Sequence, residues 1–142
     1  MRARMLAVVA AVLAGTAACA GGAPQGKSAS GKPRYFEMRT YTANPGKMEA
    51  LHQRFRDHAN RLLARHGVQV LGHWTVAKGE GEGTTLIFIL AYPGPEAREA
   101  SWKAFAEDPE WKKAKAESEK DGVLVGKVVQ TFMNPTDYSP IQ

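Results

Sequence analysis

The feature that most limits how this chain can fold is an apolar segment at residues 85–92, TLIFILAY. It is short, rich in β-branched and aromatic residues, and bounded by glycine and proline, so it predicts a β-strand. Side chains alternate between the two faces of a strand, and here both faces are apolar: Leu86, Phe88 and Leu90 on one, Ile87, Ile89 and Ala91 on the other. A strand with one face in water would alternate apolar and polar residues, so both faces of this strand must be covered.

The segments around this strand predict one α+β domain over residues 34–142. Period-two patterns indicate further strands at 34–42, 68–76 and 123–133, and helical spacing indicates helices at 45–66, 96–105 and 109–120. The order β-α-β-β-α-β, with its second helical region divided in two, is that of the ferredoxin-like split βαβ fold. This fold has an antiparallel sheet with the first and third strands in the centre and helices on one face.

Short sequence patterns predict where two helices begin and which face of the first helix packs on the sheet. Asn44 and Asp108 each precede a proline, which predicts an N-cap followed by a first-turn proline. In the first helix Leu51 and Phe55 define an apolar stripe that should face the sheet. His58 lies seven residues after Leu51 and therefore falls within this stripe.

Because the helices can cover only one sheet face, a second copy of the chain is the simplest cover for the other. Burying about 800 Å² per subunit at roughly 25 cal/mol/Å² gives a gross gain of about 20 kcal/mol, more than association costs. We therefore expect a homodimer packed sheet on sheet, which is a dimeric α+β barrel.

Residues 1–19 have the pattern of a secretory signal peptide: a short basic start, an apolar core and small residues that end in the only cysteine, Cys19. A cysteine at this position is typical of a bacterial lipobox, in which the thiol is acylated. We expect an exported lipoprotein of the cell membrane or outer membrane, anchored through lipid on Cys19. Thr16 stands where a lipobox usually has leucine, so cleavage to a periplasmic or secreted protein is the alternative.

Residues 20–33 are rich in glycine, proline and serine and predict a disordered tether between anchor and domain. The chain has 19 basic and 14 acidic residues, a formal net charge of +5, and Arg2 and Arg4 lie in the leader. This excess is too mild to indicate a nucleic-acid partner. No apolar run reaches the length of a spanning helix.

The candidate site residues lie on four of the predicted elements. His58 is the candidate for proton transfer, with a packed histidine as the alternative. Of His73 and Trp74, which point to opposite faces of a strand, one is expected to enter a cavity and the other to pack. The histidine spacing indicates no metal site, and we expect no cofactor.

Glu37, Arg39 and Tyr41 share one face of the first strand. If the dimer covers that face, Arg39 and Glu37 form an interfacial ion pair, or Arg39 binds an anionic ligand group while Tyr41 donates a hydrogen bond. Trp102 is predicted to point inward from the second helical region, as a core residue or a ligand contact.

The domain resembles the NIPSNAP family. The resemblance rests on EMRTYTANPGKM at 37–48, the FRDH and RHG segments around His58 and His66, GHW at 72–74, SWKAFAEDPEW at 101–111 and PTDYSP at 135–140. It implies a ferredoxin-like fold and a dimer, and it supplies no settled catalytic residues. The wider superfamily of dimeric α+β barrels includes cofactor-free monooxygenases.

Two functions remain open at this stage. The first is a tethered dimeric module that binds a small apolar or amphipathic molecule or a protein partner. The second is a cofactor-free enzyme, monooxygenase-like or isomerase-like, that acts on such a molecule in the barrel cavity with His58 in proton transfer. A closed apolar pocket on which His58 converges with Arg39 or His73 would favour the enzyme.

Overall fold

A four-stranded antiparallel sheet in the order β2-β3-β1-β4 carries the domain. Its strands are β1 (Tyr35–Ala43), β2 (Gln69–Thr75), β3 (Thr85–Tyr92) and β4 (Val125–Met133). The computed structural model describes residues 34–142. The predicted signal peptide at 1–19, with Cys19, and the tether at 20–33 lie outside the described residues.

The helices follow β1 and β3 and cover one face of the sheet. The first helical region comprises α1 (Met48–Arg54), a π-helical turn (Phe55–Ala59) and α2 (Asn60–Arg65), and the second comprises α3 (Pro95–Glu107) and α4 (Pro109–Ser118). The predicted ferredoxin-like order, with the first and third strands central, is confirmed. Within residues 34–142, every helix is too short or too polar to cross a membrane.

The π-helical turn changes which residues of the first helical region face the sheet. A π turn holds one residue more than an α-helical turn, so the apolar stripe shifts by one position. The buried residues are Leu51, Phe55 and Ala59, followed by Leu62 and Leu63. The prediction that His58 lies on this stripe is therefore wrong.

The two apolar faces of β3 lie in different surroundings. Leu86, Phe88 and Leu90 are at most 2% exposed and form the centre of the core beneath the helices. Ile87 and Ile89 point to the opposite side, which we call the open face, and stay half-buried. The segment that follows β4 borders a groove on this face.

Of the two predicted N-caps, the structure confirms Asp108 and not Asn44. The Asp108 carboxylate accepts from the backbone N–H of Glu110 at 2.8 Å and caps α4 as predicted. The predicted cap at Asn44 is wrong, because α1 begins at Met48 and the Asn44 amide instead donates to the Val123 carbonyl at 2.8 Å. Asn44 thus holds the start of β4 against the end of β1.

Candidate functional site

A partly enclosed cavity of about 260 Å³ lies between the helices and the sheet. This volume is close to the lower end of the ~300–1,000 Å³ found for small-molecule sites. Aromatic rings make up much of the wall: Tyr41, Phe55, Phe88, Trp102, Phe105 and Trp111. Two lining residues next to or within β4, Val123 and Val128, are 58% and 45% exposed and mark the mouth.

The rings are held by contacts with one another. Phe88 lies edge to face with Tyr41 at a centroid distance of 5.0 Å and with Phe55 at 5.1 Å. Phe105 and Trp111 join α3 to α4 at 4.4 Å. Aromatic side chains fixed in this way keep the cavity open, because no ring can turn into it without losing a partner.

Charged groups occupy one edge of the cavity. Arg54 is only 5% exposed, and its Nη1 donates to Glu119 Oε1 at 2.8 Å. Lys115 Nζ lies 2.6 Å from Glu119 Oε2. Burial alone would raise the pKa of Glu119, but the hydrogen bonds from Lys115 and Arg54 outweigh it and the pKa is lowered. Glu119 is therefore ionised at neutral pH.

Behind the Trp102 wall lies a polar network centred on Glu37, which has no exposed surface. Its Oε1 accepts from Arg39 at 3.1 Å and from Arg98 at 3.0 Å. Its Oε2 accepts from the Tyr92 hydroxyl, Arg98 Nε and the Trp102 indole, each at 3.1 Å. Five hydrogen bonds from four side chains offset the cost of burying this carboxylate.

Arg39 connects this network to the cavity wall. Its guanidinium lies 4.0 Å from the ring centroid of Trp102 and 5.5 Å from that of Tyr41, both within cation–π range. The predicted Glu37–Arg39 ion pair forms, but the condition for placing it at a dimer interface, that the dimer covers this face of β1, is not met. Helices of the same chain cover it, because the polar side chains of β1 meet partners on α3.

Tyr41 is a lining residue whose hydroxyl proton could be shared with a ligand. Burial raises its pKa, although the neighbouring Arg39 opposes the shift. The phenol is therefore neutral at physiological pH and can donate a hydrogen bond.

The structure separates the six candidate residues. Tyr41 and Trp102 line the cavity, and Arg39 stacks against both. His73 packs between Phe55 and Phe88, with ring centroids at 5.1 and 5.5 Å.

The other two candidates lie elsewhere. Trp74 is 50% exposed and pairs in register with Ile87, which places it on the open face. His58 lines a surface cleft between the first helical region and α4. The candidate proton-transfer residue therefore does not line the aromatic cavity.

Arg54 was not among the candidates, although a local signal for it exists. It stands three residues after Leu51 and next to Phe55, which is a sheet-facing position on an amphipathic helix. A charged residue at such a position has to pair or line a cavity, and Arg54 does both.

A second cluster of charges joins the two helical regions away from the cavity. His66 Nε2 lies 2.7 Å from Asp108 Oδ2, and Arg65 Nη1 lies 3.2 Å from the same oxygen. The hydrogen bond from His66 is the main reason that the pKa of Asp108 is lowered to about 2. This cluster fixes the end of α2 against the junction of α3 and α4.

The fold and site define a ferredoxin-like α+β domain with an aromatic cavity between its helices and its sheet. The NIPSNAP family model matches residues 36–140, and the chain belongs to the NIPSNAP family. A comparison with curated proteins finds no match.

Solved structures of bacterial NIPSNAP proteins have the same fold. A NIPSNAP domain protein from Burkholderia xenovorans is 23% identical with a TM-score of 0.64, and the match covers 75% of this chain and 98% of that one. A NIPSNAP family protein from Agrobacterium tumefaciens strain C58 is 21% identical with a TM-score of 0.68, over 77% of this chain and 99% of that one. At these identities the likeness shows the fold alone.

Proposed function

We propose that this protein is an exported, membrane-tethered homodimeric module that binds a small amphipathic molecule in its aromatic cavity. The cavity itself carries the proposal, because a ferredoxin-like domain with a filled core would have no space of about 260 Å³ between its layers. Its aromatic wall suits an apolar body, and Arg54 and Lys115 at one edge suit a polar or charged end.

Binding is favoured over catalysis by the positions of the histidines. The enzymatic alternative needs His58 within reach of a ligand in the cavity, and His58 lines the outer cleft instead. His73 is packed between phenylalanine rings, so neither histidine is positioned to transfer a proton there.

The open face supports the dimer. Ile87 and Ile89 are half-buried there, Trp74 is 50% exposed and Val129 is 43% exposed. An apolar sheet face of this kind is stabilised by a second copy placed against it. The helix side of the sheet, with the aromatic cavity, stays free of that contact.

The N-terminal segment, with Cys19 and residues 20–33, is the basis for proposing a membrane anchor. Acylation of Cys19 would anchor the chain, and residues 20–33 would let the domain stand off the membrane by a root-mean-square distance on the order of 20 Å. The binding domain would then meet small molecules close to a bilayer.

The binding proposal is tested with 8-anilinonaphthalene-1-sulfonate, an aromatic anion whose fluorescence rises in apolar sites. We expect saturable binding to the mature protein, and native mass spectrometry of the same sample should show one probe molecule per subunit. Val128→Trp should block the mouth and weaken binding at least tenfold.

Gln130→Trp is the matched control. Gln130 lies on the same face of β4 two residues further on but outside the cavity lining. Weaker binding in both variants, or in neither, would contradict binding in this cavity.

A further inference from the structure

We propose that the cavity takes a monocarboxylate with an aromatic body, and that Arg54 binds its carboxylate; this rests on the proposed binding function. Arg54 is 5% exposed and lines the aromatic cavity. Its position differs from that of Arg39, whose charge is directed to Glu37 behind the wall.

The hydrogen bonds of Arg54 leave one side of the guanidinium without a partner. Nη1 donates to Glu119 at 2.8 Å and to the Ser118 hydroxyl at 3.4 Å. Nε is buried and has no acceptor among residues 34–142, and no acceptor for Nη2 is found in that part of the chain either. Nε has almost no accessible surface, so Nη2 is the nitrogen left to donate a charge-assisted hydrogen bond to a carboxylate oxygen of a ligand.

The charge balance at this edge favours one negative charge in the ligand. Arg54 and Lys115 supply two positive charges and Glu119 supplies one negative charge. A single carboxylate neutralises the net charge of +1 that these three side chains leave. A doubly charged phosphate would instead give an excess negative charge at a half-buried site.

The aromatic side chains next to Arg54 determine what kind of group can form the uncharged part of the ligand. Trp111 contacts both the charged edge and the aromatic wall. The Arg54 guanidinium lies 5.4 Å from the centroid of its ring, and the Phe105 ring lies 4.4 Å away at an interplanar angle of 35°. A planar ring inserted among these side chains can stack or make edge contacts on several sides. A carboxylate attached to such a ring then lies at the Arg54 edge.

The test compares 2-naphthoate with 2-naphthamide, which has the same shape without the charge, by isothermal titration calorimetry at pH 8. Charge-assisted hydrogen bonds contribute about 1.5–3 kcal/mol, so naphthoate should bind roughly ten- to a hundredfold more tightly. Glu119→Gln should strengthen naphthoate binding further, because the competing carboxylate is removed.

The variant that removes Arg54 is the double substitution Arg54→Met with Glu119→Gln, which avoids leaving the Glu119 carboxylate without its buried partner. It should reduce the preference for naphthoate to the small part that the exposed Lys115 supplies and change naphthamide binding less than threefold. Lys113→Gln removes an exposed charge of α4 outside the cavity and should keep the preference.

The outcomes separate this inference from the proposed function. Equal binding of the two naphthalene compounds to the unsubstituted protein, or an undiminished preference in the double variant, would overturn the role of Arg54 and leave the cavity as a binding site. Absence of binding by both compounds and by anilinonaphthalene sulfonate would overturn both proposals.

Discussion

The indole nitrogen of Trp102 donates to Glu37 Oε2 at 3.1 Å, so a wall residue of the cavity is held by a carboxylate with no exposed surface. The same indole donates to the Tyr92 hydroxyl at 2.8 Å. Arg39 lies over the Trp102 ring at 4.0 Å. The orientation of this wall therefore depends on a polar network that does not itself contact the cavity.

Glu37→Gln should destabilise the domain by about 3–5 kcal/mol, because it leaves the charges of Arg39 and Arg98 without their buried partner. Urea unfolding followed by circular dichroism measures this change. Glu99→Gln removes an exposed partner of Arg98 and should cost less than about 1 kcal/mol. Similar losses in the two variants would show that the buried network is not a main source of stability.

The sequence was sufficient for the fold because the relevant patterns are local. The short apolar run at residues 85–92 and the helical spacing around Leu51 each span a few residues, and with similar patterns elsewhere they predicted the order of elements that the sheet confirms. The cap at Asp108 was predicted in the same way. The NIPSNAP family was also identified from short motifs.

The site could be predicted only in part, since its geometry depends on contacts between distant residues. Glu37 and Trp102 are 65 positions apart, and no local pattern shows that they meet. The π-helical turn places His58 away from the sheet. The prediction used the seven-residue spacing from Leu51, which assumes a regular α-helix and cannot detect the extra residue of a π turn. Tyr41 was predicted because it shares a strand face with Glu37, but its aromatic neighbours, Phe88 on β3 and Phe55 in the π-helical turn, are distant from it in sequence.

The stability of the domain should fall as the pH is lowered through the titration range of His73. Burial, together with nearby His52, lowers the pKa of His73 below 6.5. The unfolded chain then binds a proton at higher pH than the folded one, so the free energy of unfolding decreases as the pH falls below about 6.5.

The variant His73→Phe keeps an aromatic ring between Phe55 and Phe88 and removes this titration. It also removes a buried nitrogen, Nε2, that has no hydrogen-bond partner among residues 34–142, and should raise the free energy of unfolding at pH 7 by about 1 kcal/mol. Urea unfolding at several pH values measures both effects. If the free energy of unfolding of His73→Phe depends on pH between about 5 and about 7 as strongly as that of the unsubstituted protein, the assignment to His73 is contradicted.

At lower pH the Asp108 carboxylate should determine part of the acid unfolding. Its pKa is lowered from 3.8 to about 2, first by the hydrogen bond from His66. Because the folded state favours the ionised carboxylate, Asp108 adds stability that is fully present above pH 3.8, the pKa in the unfolded chain. This stability is lost as the pH falls through about 2, the pKa in the folded domain. Asp108→Asn preserves a good N-cap but removes the charge.

This variant should be less stable than the unsubstituted protein at pH 5, and the difference should disappear by about pH 2. Thermal unfolding over this range measures it. A difference that stays constant with pH would show that the cap, and not the ionised carboxylate, is responsible.

Cys19→Ala should move the protein from the membrane fraction to the soluble exported fraction, because an unacylated chain has no lipid to hold it at a bilayer. Fractionation of cells with immunoblotting measures the distribution. Ser28→Ala, in the predicted tether, should leave the protein in the membrane fraction. Retention of the Cys19→Ala protein on the membrane would contradict the proposed lipid anchor.

Ile89→Glu should convert the proposed homodimer into a monomer. Ile89 is central on the open face, where it pairs in register with Met38 on one side and Gly72 on the other. A carboxylate there would lose its water on association without gaining a partner, at a cost of several kcal/mol. Ala104→Glu, at an exposed position of α3, should leave the dimer intact. Sedimentation velocity with circular dichroism distinguishes dissociation from unfolding, and a monomeric unsubstituted protein at high concentration would contradict the sheet-on-sheet dimer.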